Sequence, residues 1–359
     1  MPETGRDKLG VGIVGAGWIG HAHGRAWQAN SSRARIVAVA DASQARAEGL
    51  SGSFAGGDAH LYADLQSVLA DPAVEAVDLC LPHHLHRDAV VAALGAGKHV
   101  LAEKPLCLSL EEARAIGEAV AASSARFMSA HNQLFSPPLV EARRLLREEV
   151  LGPVYVVRST EAGRTSGFKT LRPPVEHLPE GESSWAWRLD PARAGGGELL
   201  DTGWHAGYRL LALADSRPVE VTAMLANLYL PELGEREDTG ALLVRFESGV
   251  LGFLLTSWAF VELPVGWSFQ VSGAHGSLAG SATRLVHGTG GFPAPAERVF
   301  DRADTFTLEI SHFLDVVQEG AECQASFEHA ARNLQLILGA YRSAAERRAV
   351  TLPEDPTRL

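Results

Sequence analysis

Leu9-Gly10-Val11-Gly12-Ile13-Val14-Gly15-Ala16-Gly17-Trp18-Ile19-Gly20 is the stretch whose reading decides the fold. Its first half is a short apolar run interrupted by glycines. Its second half matches G-x-G-x-x-G, and a helical pattern follows from Trp18 to Ala29. A second strand-like run, Arg35 to Ala40, ends at Asp41, which lies 21 positions after Gly20. A strand, a glycine turn, a helix and an acid at that distance make the dinucleotide-binding pattern. The glycines have distinct tasks: Gly15 permits the tight turn, Gly17 lets backbone approach a pyrophosphate, and Gly20 lets helix and strand pack closely. The helix that opens at Trp18 and Ile19 presents free N–H groups to phosphate.

The alternation continues outward from this unit. Ser43 to Leu50 reads as a helix with Ser43 as its N-cap, and Ala76 to Leu81 as a buried strand. Leu85 to Leu94 reads as a helix, and Gly97 breaks it before the strand Lys98 to Ala102. Ser109 and Glu112 form a capping box for a helix to Ala122, and Ala125 to Ala130 is the next strand. Near-continuous apolar strands between helices predict a doubly wound parallel sheet covered on both faces. The character changes near Gly152-Pro153. Val154 to Ser159, Val219 to Leu228, Gly240 to Phe246, Val250 to Trp258 and Trp267 to Val271 read as strands, several with partial period-2 alternation. Glu247-Ser248-Gly249 suggests a hairpin, and Thr305 to Gln318 and Phe327 to Glu346 read as helices. The expected fold is α/β followed by α+β: a Rossmann domain over 1–133, then an open, mostly antiparallel sheet domain flanked by helices over 134–359. Glu161 to Ala194 shows no period and mixes prolines, charges and two tryptophans, as functional loops do.

Composition narrows the partners. A chain of 359 residues exceeds the size at which one core keeps growing, so two domains are expected. A net charge of −11, with no concentrated lysine and arginine, argues against a nucleic acid. Met1 to Gly10 has no apolar core of signal-peptide length, and Val250 to Phe260 is too short to span a bilayer. Cys80, Cys107 and Cys323 have neither zinc-like spacing nor an even count for a disulfide framework. The expectation is a reduced, cytoplasmic protein without membrane partners. His83, His84 and His86 lack carboxylate or cysteine companions at ligand spacing, so no metal is expected. His21 and His23 read as packing or solvent-facing residues of the first helix.

Asp41 is placed to accept hydrogen bonds from ribose hydroxyls and to repel a 2′-phosphate, and Ala42 and Ser43 supply no cation. NAD is therefore the expected cofactor, and nearby Arg46 keeps NADP open.

Three further motifs follow in order: Leu81-Pro82-His83-His84-Leu85-His86, then Ala102-Glu103-Lys104-Pro105-Leu106, then Gly195-Gly196-Gly197-Glu198-Leu199-Leu200-Asp201-Thr202-Gly203-Trp204-His205. With the glycine motif, the chain resembles the glucose-fructose oxidoreductase, inositol dehydrogenase and MocA-like family over nearly its whole length. The resemblance implies a Rossmann domain followed by a sheet domain that makes homodimers or homotetramers. It also implies hydride exchange between nicotinamide and a carbon of a sugar, sugar derivative or cyclitol. It assigns Lys104, Asp201 and His205 to catalysis. It sets Pro82, His83, His86, Glu103, Lys104 and Asn132 along the cofactor, beside Gly15, Gly17, Trp18, Ile19, Gly20 and Asp41. His83, where asparagine is common, and His131-Asn132-Gln133 depart from the family pattern and bear on the substrate.

The residues themselves support such chemistry. Lys104 follows a parallel strand, where ligands of doubly wound sheets gather. Oxidising an alcohol needs a proton acceptor, and histidine is the usual one. Asp201, four residues before His205, would orient the imidazole or bind a hydroxyl, and Lys104 would stabilise a developing alkoxide. Trp185, Trp187 and Arg188 either stack on a sugar ring or wedge the domains together. Two other functions stay open: glycoside cleavage by transient redox with bound NAD, and a non-catalytic cofactor sensor.

Overall fold

The computed structural model describes residues 8–164, 186–260, 266–290 and 295–359. Trp185 lies outside them. The first sheet is built from β1 (Leu9–Val14), β2 (Ala34–Ala40), β3 (His60–Tyr62), β4 (Ala76–Leu79), β5 (His99–Ala102) and β6 (Phe127–Ser129). All its pairings are parallel, in the order β3-β2-β1-β4-β5-β6. Between the strands run α1 (Trp18–Ala29), α2 (Gln44–Phe54), α3 (Leu65–Ala70), α4 (His86–Gly95) and α5 (Leu110–Ala122). β1 is buried along its whole length, as a strand covered on both faces must be. The order reverses between β1 and β4, which opens a crevice at their carboxyl ends.

A helix α6 (Pro137–Arg147) leads into the second sheet. Its strands are β7 (Val154–Ala162), β8 (Pro218–Ala226), β9 (Thr239–Phe246), β10 (Leu251–Ser257), β11 (Phe269–Gly273), β12 (Gly276–Gly280), β13 (Arg284–Thr289), β14 (Ala296–Val299) and β15 (Val350–Thr351). Their order is β14-β13-β12-β11-β7-β10-β9-β8-β15. Every pairing is antiparallel except β7 with β10. β9 and β10 form the hairpin expected at Glu247-Ser248-Gly249, with Gly249 at a φ of +88°. α7 (Pro191–Ala194), α8 (Gly203–Ala214), α9 (Thr305–Leu314) and α10 (Phe327–Glu346) are the further α-helices among the described residues. The helix expected to reach Gln318 leaves α geometry at Leu314 and continues as a π turn over Asp315–Glu319.

The two halves are interlocked. α9 returns to pack on α1, where the Trp27 and Phe313 rings meet edge to face at 6.1 Å. α8 covers one face of the second sheet against β7 and β10 and carries His205 toward the first sheet. The opposite face of that sheet leaves Met224, Leu243, Leu251 and Phe253 exposed.

Candidate active site

The glycine turn is dictated by contact. Gly15 has a φ of +101°, and a Cβ there would lie 2.2 Å from the Cys80 carbonyl oxygen. A Cβ on Gly20 would lie 2.1 Å from the Gly15 carbonyl oxygen, so the helix closes onto the turn only without a side chain. An open cleft of about 670 Å³ runs past the ends of β1, β2, β4 and β5. Gly15, Gly17, Trp18, Ile19, Asp41, Pro82, His83, Glu103 and Lys104 line it. Ala63, Asp64, Leu65 and Gln66 add a wall beside Asp41 that the sequence reading missed. The Asp41 carboxylate accepts the Ala16 N–H and the Ser43 N–H, each at 2.8 Å, and pairs with Arg46 at 2.6 Å. The residues fit a dinucleotide. Gly15 and Gly17 leave the backbone of the turn open, and a carboxylate flanked by one arginine stands at the far wall.

Three residues expected at the cofactor do not line this cleft. Gly20 lies beneath the turn. His86 is fully buried, its Nδ1 2.6 Å from the Pro105 carbonyl and its Nε2 2.8 Å from the Leu81 carbonyl. It ties the strand-end loops of β4 and β5 together. Asn132 donates its side-chain amide to Thr305 Oγ1 at 3.0 Å, away from the cleft.

At the other end, Lys104 Nζ donates to the Asp201 carboxylate at 2.8 Å and to the Asp201 carbonyl at 2.9 Å. Arg188 Nε donates to the second carboxylate oxygen at 2.7 Å. Burial alone would raise the Asp201 carboxyl, but the Arg188 guanidinium and the Lys104 ammonium outweigh it and hold it well below the usual carboxylate range. Asp201 therefore stays ionised and acts as an anchor for both cations. α8 begins at Gly203, so Asp201 sits in the turn ahead of the helix and His205 in its first turn. Burial, then the charges of Lys104 and Arg209, push the His205 imidazole well below its ordinary value, against a smaller pull from Asp201. A histidine in the first turn of a helix is also disfavoured as a cation. His205 is thus held as a neutral imidazole.

The glycine run before Asp201 is also a packing requirement. A Cβ on Gly197 would lie 2.1 Å from the Glu237 carbonyl oxygen. Thr256 donates to Glu198, whose carboxyl burial pushes well above its usual range, and Trp258 Nε1 donates to Thr202 at 2.8 Å. These contacts clamp the segment that carries Asp201 onto the second sheet.

Of the aromatic pair, Trp187 stands 4.5 Å from the His83 ring, and the Arg188 guanidinium lies 4.3 Å over the Trp187 ring. Both line the cleft beside Lys104. His83 bonds the Ala194 carbonyl through Nδ1 at 3.0 Å, and burial holds it well below its ordinary pKa.

A second cluster lies behind the site. His23 is fully buried, the packing one of its two readings. Its Nδ1 meets Asp78 at 2.9 Å and its Nε2 meets Glu103 at 3.2 Å. Trp27 Nε1 donates to Asp78 at 2.7 Å. Burial would lower the imidazole, but Asp78 outweighs it and raises His23 well above its ordinary value. His23, Asp78 and Cys80 form the one metal-competent grouping among the described residues, and His23 and the Trp27 indole already occupy the Asp78 carboxylate. The sequence signal for this cluster is Asp78 itself, a carboxylate inside the apolar run of a central strand.

Comparison with known proteins identifies the family. Residues 9–131 match the family described as oxidoreductase family, NAD-binding Rossmann fold, and residues 139–279 match the GFO/IDH/MocA C-terminal domain. The chain is 28% identical over 352 residues to inositol 2-dehydrogenase of Rhizobium meliloti, covering 95% of this chain and 98% of that one. It is 26% identical over 350 residues to scyllo-inositol 2-dehydrogenase (NAD(+)) of Bacillus subtilis, covering 92% of each. Its fold is similar to the structure of levoglucosan dehydrogenase in complex with NADH and levoglucosan, with a TM-score of 0.84, 23% identity and coverage of 97% and 100%. Such relatives favour neither glycoside cleavage nor a cofactor sensor. An NAD-binding turn, a lysine after β5 and an aspartate–histidine pair at the start of α8 thus meet in a chain that belongs to the GFO/IDH/MocA family of NAD-binding oxidoreductases.

Proposed function

We propose that this oxidoreductase interconverts a secondary alcohol and a ketone on a cyclitol or sugar ring, with NAD as the preferred cofactor. The observation that carries this reading is the Lys104–Asp201 contact at 2.8 Å, at the end of the cofactor cleft, with both charges acting on neutral His205. NAD, when bound, supplies the hydride acceptor. Lys104, locked by Asp201, stabilises negative charge on the substrate oxygen. His205 exchanges the hydroxyl proton. Trp187 and Arg188 offer an apolar face and donors to a polyhydroxy ring. The work divides between a cofactor domain over 1–133 and a substrate domain over 134–359.

The same reading makes the protein a cytoplasmic homodimer or homotetramer. The support is the open sheet face. Leu243 and Phe253 stand directly opposite each other on β9 and β10, both more than one-third exposed. Apolar patches on sheet faces mark association surfaces. Among the described residues, no helix is long and apolar enough to cross a membrane.

The test is absorbance at the NADH band with NAD or NADP and a panel of inositols, aldoses, sugar acids and glycosides. A substrate-dependent rise is expected with a cyclitol or sugar. Aglycone release without net NADH would instead establish transient-redox cleavage.

A further inference from the structure

His205 Nδ1 lies 2.6 Å from the Tyr208 hydroxyl. Tyr208 is three residues further along α8, on the same helix face. Its oxygen also receives the Gln133 N–H at 3.3 Å. The Tyr208 ring stacks on His131, with centroids 4.3 Å apart and planes 16° apart. His131 is itself fixed, because its Nε2 accepts the Trp204 indole N–H at 3.0 Å. Burial pushes the His131 imidazole down to about 3, so the plate under Tyr208 is uncharged. The phenol is therefore held from below by a ring and from the side by backbone.

A phenol differs from a carboxylate as a histidine partner. A carboxylate only accepts, and it favours the imidazolium by its charge. A hydroxyl donates to a bare Nδ1 and accepts from an Nδ1–H, by turning its own O–H bond. Burial keeps the Tyr208 proton in place, well above the ordinary phenol range. Tyr208 thus partners Nδ1 in each protonation state of His205 without adding a charge.

We propose that Tyr208 is a positioning residue for the reaction: its hydroxyl oxygen accepts the His205 Nδ1–H, which holds the ring in the tautomer whose bare Nε2 takes the substrate proton, and it keeps Nδ1 partnered in the imidazolium that results. Tyr208 neither gains nor loses a proton over the cycle. The inference rests on the reading of His205 as the proton-exchanging group. Lys104, Arg209 and Asp201 act on the same imidazole by charge, and Tyr208 acts by orientation.

The test uses the full chain and Tyr208→Phe, which keeps the ring and its stack on His131. Nitrogen NMR of histidine-labelled protein, with His205 assigned by its loss in His205→Asn, reads the hydrogen bond without any substrate. The expected result is a shift of the His205 Nδ1 resonance that exceeds the shift at Nε2. In turnover with the inositol or sugar found active, kcat falls about 10- to 100-fold, a part of the about 10²- to 10⁴-fold that a positioned acid–base group contributes. The KM for NAD and the thermal midpoint stay at their wild-type values. An unmoved Nδ1 resonance overturns the inference, as does wild-type kcat. So does a kcat loss accompanied by a matching rise in KM for NAD and a lower midpoint, because that pattern is merely structural. If His205→Asn itself turns over at the wild-type rate, the reading of His205 fails and the inference with it. If only Tyr208→Phe does, the inference fails alone.

Discussion

Lys104 and Asp201 are 97 positions apart in the chain and 2.8 Å apart in space. Lys104 stands at the carboxyl end of β5, in the cofactor sheet, and Asp201 stands at the mouth of α8, against the second sheet. The contact therefore ties the end of the cofactor cleft to the segment that leads into α8. Arg188 holds the other carboxylate oxygen, so Asp201 cannot turn away without giving up both ion pairs.

The electrostatics of His205 predict a pH profile. Burial and the neighbouring cations lower its folded value well below the ordinary one. The group is needed neutral for alcohol oxidation, so the acid limb of kcat/KM falls below about pH 6.5, the unperturbed value. Oxidation is expected to be level from pH 7 downward until that limb. A limb centred above about pH 6.5 contradicts the assignment.

Cofactor choice rests on Asp41 and Arg46. With the carboxylate present, a 2′-phosphate meets negative charge, and Arg46 is engaged by Asp41 at 2.6 Å. Asp41→Ala releases the guanidinium from this pair and removes the repulsion. The ratio of kcat/KM for NADP to that for NAD should rise by about tenfold, or ~1.4 kcal/mol. Steady-state kinetics with both cofactors checks this, and an unchanged ratio shows that Asp41 does not face the ribose.

The buried His23 cluster predicts a stability effect with a definite sign. His23→Ala leaves Asp78 and Glu103 without their shared cation and should cost about 3–5 kcal/mol of stability. The folded value of His23 is raised above its unfolded one. Its contribution is therefore full below the unfolded value and is lost as pH rises through the folded value. Denaturant unfolding should show the largest gap between wild type and variant near pH 6, narrowing at alkaline pH. Glu309 behaves in the opposite way. Both its oxygens are buried without a hydrogen-bond partner, and burial raises its carboxyl well above the usual range. Glu309→Met removes an unsatisfied group and should stabilise by about 1–3 kcal/mol at neutral pH.

The exposed face of the second sheet predicts an assembly defect. Leu243→Arg places a charge opposite Phe253 in the middle of the apolar stripe. Light scattering after gel filtration should show the variant at lower mass than the wild type. A wild-type protein that is monomeric throughout a concentration series removes the homo-oligomer reading.

What the sequence made legible follows from how each signal is encoded. β1, β2, β4 and β5 are covered on both faces and read as apolar runs, so their order around the glycine turn was visible. β3 spans three residues and β12 is bounded by Gly276 and Gly280, so neither carries a readable period. β13, interrupted by His287 and Gly288, and the wholly exposed β14 carry none either. Pro137 and Pro138 occupy the first turn of α6, where a missing N–H costs nothing, and the sequence reading passed over this helix. In the site, Lys104, Asp201 and His205 announce themselves by motif. The partners that control them do not: Arg188 reaches Asp201 from a segment without period, and His23 is one histidine among fourteen until Asp78 is seen beside it.

The most direct measurement is a single-turnover experiment with excess enzyme, following NADH formation on mixing with NAD and the active inositol or sugar. Wild type, Lys104→Ala and NADH-binding controls are run together. The account predicts a fast single phase in wild type, a rate lower by about 10²- to 10³-fold in Lys104→Ala, and the same NADH affinity in the two proteins. A wild-type rate in Lys104→Ala, with NADH binding intact, would contradict the claim that the cleft between Lys104 and His205 is where hydride transfer occurs.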